Sequence, residues 1–167
     1  DGDSYVPIRQ DVTSGGDPAP LYALPALSAG KLTALASGDG GIEVVERSKR
    51  TYRGTMEISV LNRHLALVNE LPLDEYLNSV VGSEVISSWP AEALKAQAVA
   101  ARSYALSMMG GFQIADVVDT TLSQTYTGIG GENGPSIAAV RATAGEVMTY
   151  QGKIIEAVFS ANAGGIT

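Results

Sequence analysis

Glu84, Lys95, Gln97 and Arg102 interrupt a stretch, residues 82–106, that is otherwise built largely from alanine and other small or apolar residues. A carboxyl group near cationic and amide side chains is raw material for general acid–base chemistry, because the surroundings set whether it holds or releases a proton. Glu84 is expected in a short polar turn, followed by a helix that starts at Pro90, where the missing N–H costs nothing. That helix should run to about Met109 and stop at Gly110-Gly111. Leu94, Ala98, Ala101, Ala105 and Met108 lie on one stripe by their spacing. A helix apolar on most sides is normally buried, so cations within it need a partner or a route to water. Each polar residue also has a plain structural use. Glu84 would be favoured at the N-terminus of the following helix by its dipole. Lys95 and Arg102 can pair with Glu92 or Asp116, or extend to solvent. Gln97 can satisfy backbone groups of a neighbouring strand.

Several chemistries are excluded. The 167 residues contain no cysteine and one histidine, His64, which removes thiol chemistry, disulfides and a Cys/His zinc site within the chain. A formal net charge of −7 argues against a general nucleic-acid footprint. No uninterrupted apolar run reaches the roughly 18 residues of a membrane span. Asp116 and Asp119 resemble a carboxylate pair, but three residues apart in a strand-like segment they face opposite sides. The glycine-rich stretch 128–134 lacks the Gly-Lys-Ser/Thr ending of a phosphate cradle and reads as a mobile cleft lip.

The surrounding pattern favours an α+β fold, with strands around a central buried Ala-rich helix and a β-rich N-terminal arm. Residues 1–50 read as an irregular, strand-containing arm, with turns at Ser14–Pro18 and Gly38–Gly41 and a short element at Leu32–Ala36. Ile42–Glu46, Tyr52–Val60 and Leu65–Asn69 read as strands, the last two joined by a turn at Asn62–His64 that leaves His64 exposed. Asp74 is expected to cap a short helix over Glu75–Val81 that Gly82-Ser83 stops. Ile114–Val118 and Thr120–Tyr126 are β-compatible, Ile137–Thr143 helical, and Gln151-Gly152 a hairpin turn.

The residues Leu73-Asp74-Glu75-Tyr76-Leu77, Val80–Val85 and Trp89–Ala105 carry a resemblance to the SpoIID/LytB family of bacterial cell-wall proteins. Gln124–Gly128, Thr143-Ala144-Gly145 and Phe159–Thr167 continue it in order, so that it covers roughly residues 58–167. The resemblance implies lytic transglycosylase activity on peptide-free peptidoglycan glycan strands or, in other members, enhancement of a cell-wall amidase. It also implies a location outside the cytoplasm and no cofactor. Some members hold zinc through Cys and His, which the absence of cysteine argues against. Glu84 stands at the family's catalytic glutamate and Arg102 at a further position linked to activity. Family members continue past the Gly164-Gly165-Ile166-Thr167 run with further active-site residues. Residues 51–167 are therefore expected to be a catalytic domain cut short at its C-terminus.

For that reaction one carboxyl must donate a proton and then accept one, which burial beside Val85, Ile86 and Trp89 would favour. Lys95 and Arg102 are then expected to meet anionic substrate groups such as the lactyl carboxylate. Gln124 and Tyr126 are candidates to line the sugar cleft, with core packing the alternative for Tyr126. Ser160 and Asn162 are candidates to hydrogen-bond substrate, or else ordinary turn residues.

Overall fold

The computed structural model describes residues 8–11, 31–36, 40–61 and 64–160. The expected hairpin forms, but the strand read over Tyr52–Val60 breaks after Tyr52 and resumes at Thr55, and the strand read over Ile42–Glu46 ends at Val44, where a 3-10 turn begins. β5 (Thr55–Leu61) and β6 (His64–Glu70) pair antiparallel from Thr55↔Glu70 to Leu61↔His64. His64 is exposed at the start of β6, whereas residues 62 and 63 of the expected turn lie outside the described residues. β2 (Leu32–Leu35) adds to β5, and β1 (Ile8–Asp11) adds to the other side of β6. A two-residue β7 (Val117–Val118) runs parallel to β1, giving the order β2-β5-β6-β1-β7. Strands from the first 50 residues thus share a sheet with the hairpin. β3 (Ile42–Val44) pairs with β4 (Arg50–Tyr52), and β8 (Thr149–Tyr150) with β9 (Lys153–Ile154). The turn between β8 and β9 has Gln151 at φ 50° and Gly152 at φ 76°, which a two-residue hairpin requires.

Among the described residues three α-helices complete the α+β arrangement: α1 (Leu73–Glu84), α2 (Ala91–Ser107) and α3 (Gly134–Ala142). Tyr76, Leu77, Val80 and Val81 of α1 are wholly buried, and so are Ala98, Ala101 and Ala105 of the α2 stripe. The small alanine side chains leave little bulk between α2 and its neighbours. These residues join Met56, Leu67 and Leu71 from the sheet side in one core.

α1 is longer than expected at both ends. Its N-cap is Pro72, without a side-chain cap, and Asp74 reaches Arg102 instead of capping. Gly82 does not stop the helix. A Cβ there would lie 2.0 Å from the Gly131 carbonyl oxygen, so this glycine permits close packing. The expected strands at 114–118 and 120–126 shrink to β7. The amides of Thr125 and Thr127 donate to side chains of α1, Glu84 and Ser79, rather than to a neighbouring strand. The supposed mobile lip is a 3-10 turn over Gly128–Gly131 leading into α3, whose start is fixed by an Asn133/Ser136 capping box.

Candidate active site

Glu84 is the last residue of α1, not part of a free turn. It also does not cap the following helix, since α2 begins only at Ala91. At the C-terminus of α1 its carboxylate meets the negative end of the helix dipole, the opposite of a capping role. One hydrogen bond offsets this: the Thr125 amide donates to Oε1 at 2.8 Å. Among the described residues Oε2 has no hydrogen-bond partner, and no charged side chain pairs with Glu84. The Thr125 N–H occupies Oε1 as an acceptor, which leaves Oε2 the oxygen open to exchange a proton.

The support behind Glu84 is built from small groups. Ser83 and Thr127 hydroxyls lie 3.1 Å apart, and the Thr127 amide donates to Ser79 Oγ at 3.3 Å. The hydroxyl oxygens of Ser79, Ser83 and Thr127 each lie 2.5 Å from where a Cβ of Gly131 would sit. Glycine at 82 and 131 thus lets residues 125–131 dock on the last turns of α1. The i,i+4 serines of α1 were the available sequence signal for this docking. Arg53 and Glu132 beside it form a two-pronged ion pair at 2.8 and 3.0 Å. Glu132 holds the Arg53 guanidinium above its usual pKa. No local pattern links two residues so far apart in sequence.

The apolar cover expected over Glu84 does not form. Val85 packs against the core, but Ile86 is 61% and Trp89 48% exposed, because the chain turns outward after α1.

Arg102 differs most from expectation. It is 2% exposed, and its partners are neither Glu92 nor Asp116. One terminal nitrogen donates to Glu146 O (3.2 Å) and Thr143 Oγ1 (3.4 Å), the other to Val140 O and Asp74 Oδ1 (both 3.2 Å). The cation thus caps carbonyls at the C-terminal end of α3, where positive charge is favoured, and ties α1 and α2 to them. Burial removes the open face that a substrate-contacting cation needs.

The other candidates separate. Lys95 pairs with Glu92 at 2.7 Å on the surface. Among the described residues Gln97 Nε2 is buried without a partner, rather than bonded to a strand. Gln124 and Tyr126 are each 1% exposed, so they line the core and not a cleft. Gln124 Oε1 accepts from the Tyr76 hydroxyl (2.9 Å), its Nε2 donates to Ala101 O (3.2 Å), and the Tyr126 hydroxyl donates to Asn69 Oδ1 (2.8 Å). Burial pushes the Tyr76 and Tyr126 hydroxyls well above their usual pKa. Ser160 is exposed, and Asn162 lies outside the described residues. Asp116 accepts from the Gly110 amide while Asp119 pairs with Arg47 and Arg50, so the two aspartates work apart.

Comparison with known proteins bears on this arrangement. The family model described as stage II sporulation protein matches residues 61–150. An uncharacterized protein of Brachyspira hyodysenteriae is 40% identical over 119 residues, covering 70% of this chain and 32% of that protein. The amidase enhancer of Bacillus subtilis is 42% identical over 91 residues, 54% of this chain and 12% of that protein. Stage II sporulation protein D of Bacillus amyloliquefaciens is 35% identical over 117 residues, 60% of this chain and 34% of that protein. The chain thus spans about a third or less of the length of these relatives.

Proposed function

This chain belongs to the SpoIID/LytB family, and from that premise we propose that it works on the bacterial cell wall as a lytic transglycosylase. The substrate is the peptide-free glycan strand of peptidoglycan, and the bond cleaved is the MurNAc–GlcNAc β-1,4 link. Such cleavage needs a proton on the leaving oxygen and passes through an oxocarbenium-like transition state. Glu84 supplies both proton steps. Oε2–H protonates O4 of the departing N-acetylglucosamine as the C1–O4 bond breaks. The resulting carboxylate then takes the proton of the C6 hydroxyl as O6 bonds to C1 of the same muramic acid. The products are a 1,6-anhydro end and a free 4-hydroxyl, with no water consumed and Glu84 returned to its acid form.

The observation that carries this reading is the division of labour on one carboxyl: Oε1 fixed by the Thr125 amide, Oε2 free of protein partners among the described residues. Incubation with amidase-treated sacculi, followed by mass analysis, tests it. Anhydro ends should form with the wild type and not with Glu84→Gln. The setting is the extracytoplasmic envelope. Among the described residues no helix is long and apolar enough to cross a membrane.

A second reading is a non-catalytic module that stimulates an N-acetylmuramoyl-L-alanine amidase. It is favoured by the likeness to the amidase enhancer and by the burial of Arg102, which takes that cation out of reach of a substrate; among the described residues no charged side chain pairs with Glu84. In that case the protein alone releases nothing and changes turnover only when an amidase is present.

A further inference from the structure

We propose that Trp89, with Ile86 beside it, is a platform on which one sugar ring of the glycan rests next to Glu84. The choice of ligand rests on the glycan reading above; the response of the platform can be measured without any cleavage.

Trp89 is the chain's one tryptophan. Indole rings are highly buried on average, yet this one is 48% exposed and its turn partner Ile86 61%. The exposure is not that of a loose loop. The Trp89 amide donates to Ile86 O at 3.0 Å and closes the turn. Upstream, the Val85 amide donates to Val81 O and the Val85 side chain packs on the core. Downstream, Pro90 fixes the N-cap of α2 at φ −53°. Two apolar side chains are therefore held at the surface between anchored helix ends, immediately after Glu84.

The other side of Glu84 has the same character. The turn closed by Ser123 N–H to Thr120 O presents Leu122, 73% exposed, and leads directly to the Thr125 amide that holds Glu84. Glu84 is thus the tie between two turns that each expose a large apolar side chain. Trp89 and Ile86 follow Glu84 within five residues, and apolar side chains held exposed on an ordered turn beside a candidate catalytic carboxyl are open to a ligand.

An aromatic face suits a pyranose. The ring's axial C–H groups carry slight positive charge and meet the electron-rich indole face, while the hydroxyls and N-acetyl group stay at the rim in water. No cation is needed for this contact.

The test uses the Glu84→Gln protein, so that no ligand is consumed, with a tetramer of β-1,4-linked N-acetylglucosamine and peptide-free glycan strands as probes. Saturating glycan should shift the Trp89 emission to the blue and lower its quenching by acrylamide about twofold. Trp89→Ala should weaken binding measured by calorimetry about tenfold at unchanged circular dichroism, and Trp89→Phe should recover most of it. Three results overturn the proposal: an indole already shielded in the free protein, emission unchanged at glycan concentrations that saturate calorimetry, or no glycan binding at all. Anhydro products from the wild type without any Trp89 response would sink the platform alone. A Trp89 response without products would sink the lytic reading and leave the platform standing.

Discussion

Glu84 and Arg102 come from one continuous stretch of sequence, yet they occupy opposite kinds of site. Glu84 ends a helix, is half-buried, and is held by one amide, its second oxygen unclaimed among the described residues. Arg102 is sealed in the core among Asp74, Val140, Thr143 and Glu146, and its Nε has no partner among the described residues. A polar group that is to exchange protons with a ligand needs spare hydrogen-bonding capacity. A polar group that holds helices together needs nearly none, because each unmet donor in the core costs free energy. The two sites therefore answer different tests.

Removing Arg102 should give the largest loss of stability. Arg102→Ala strands carbonyls at the end of α3 and frees Asp74, and should cost about 3 kcal/mol in denaturant unfolding. Arg102→Lys should restore little, because an ammonium cannot span the same acceptors. If Arg102 is a scaffold residue, activity of Arg102→Ala should return on cooling to temperatures where the variant is folded. Full stability with lost activity would place it in catalysis and break the contrast.

Gly82→Ala tests the docking behind Glu84. Alanine gains about 1 kcal/mol of helix propensity over glycine, but its Cβ would meet the Gly131 carbonyl at 2.0 Å. Overpacking of this kind costs about 1–3 kcal/mol. The contact is with backbone, so the penalty should win, with a net loss of up to about 2 kcal/mol and weaker activity through a displaced Glu84. A stabilised variant would show that residues 128–131 do not press on α1.

Alkaline pH probes the buried tyrosines of the core. Tyr76 and Tyr126 have folded pKa values raised by burial. The unfolded chain releases these protons near pH 10, so it binds fewer protons than the folded chain above that pH. Stability should thus be complete below about pH 10 and fall as pH rises beyond it. Thermal melts across that range, with tyrosinate absorbance, check the sign.

The smallest effect belongs to Lys95→Ala. Its pair with Glu92 is exposed and three residues apart on one helix, so stability should move by less than about 0.5 kcal/mol. A large loss of glycan binding at unchanged stability would return Lys95 to the substrate site.

Much of the fold was legible because its signals are local. The spacing of Leu94, Ala98, Ala101 and Ala105 placed the buried stripe of α2, and Gln151-Gly152 placed its hairpin. What escaped depends on distant partners. Gly82 reads as a helix stop until Gly131 is seen packed against it. Gln124 and Tyr126 alternate inward as in a strand, but the amide between them, that of Thr125, bonds a helix side chain and not a sheet. Arg102's partners are set by the meeting of α1, α2 and α3, not by the carboxylates nearer in sequence. The composition of the stretch suggested an acid–base group at Glu84, but the choice between that and a helix cap rested on the family resemblance.

The most direct measurement compares wild type and Glu84→Gln on amidase-treated sacculi, scoring 1,6-anhydro ends by mass spectrometry at equal folded concentration. The wild type should release them, and the variant should be about a thousandfold slower with an unchanged melting temperature. Equal release by the two proteins, or none from the wild type, would contradict a single-carboxyl lytic mechanism centred on Glu84.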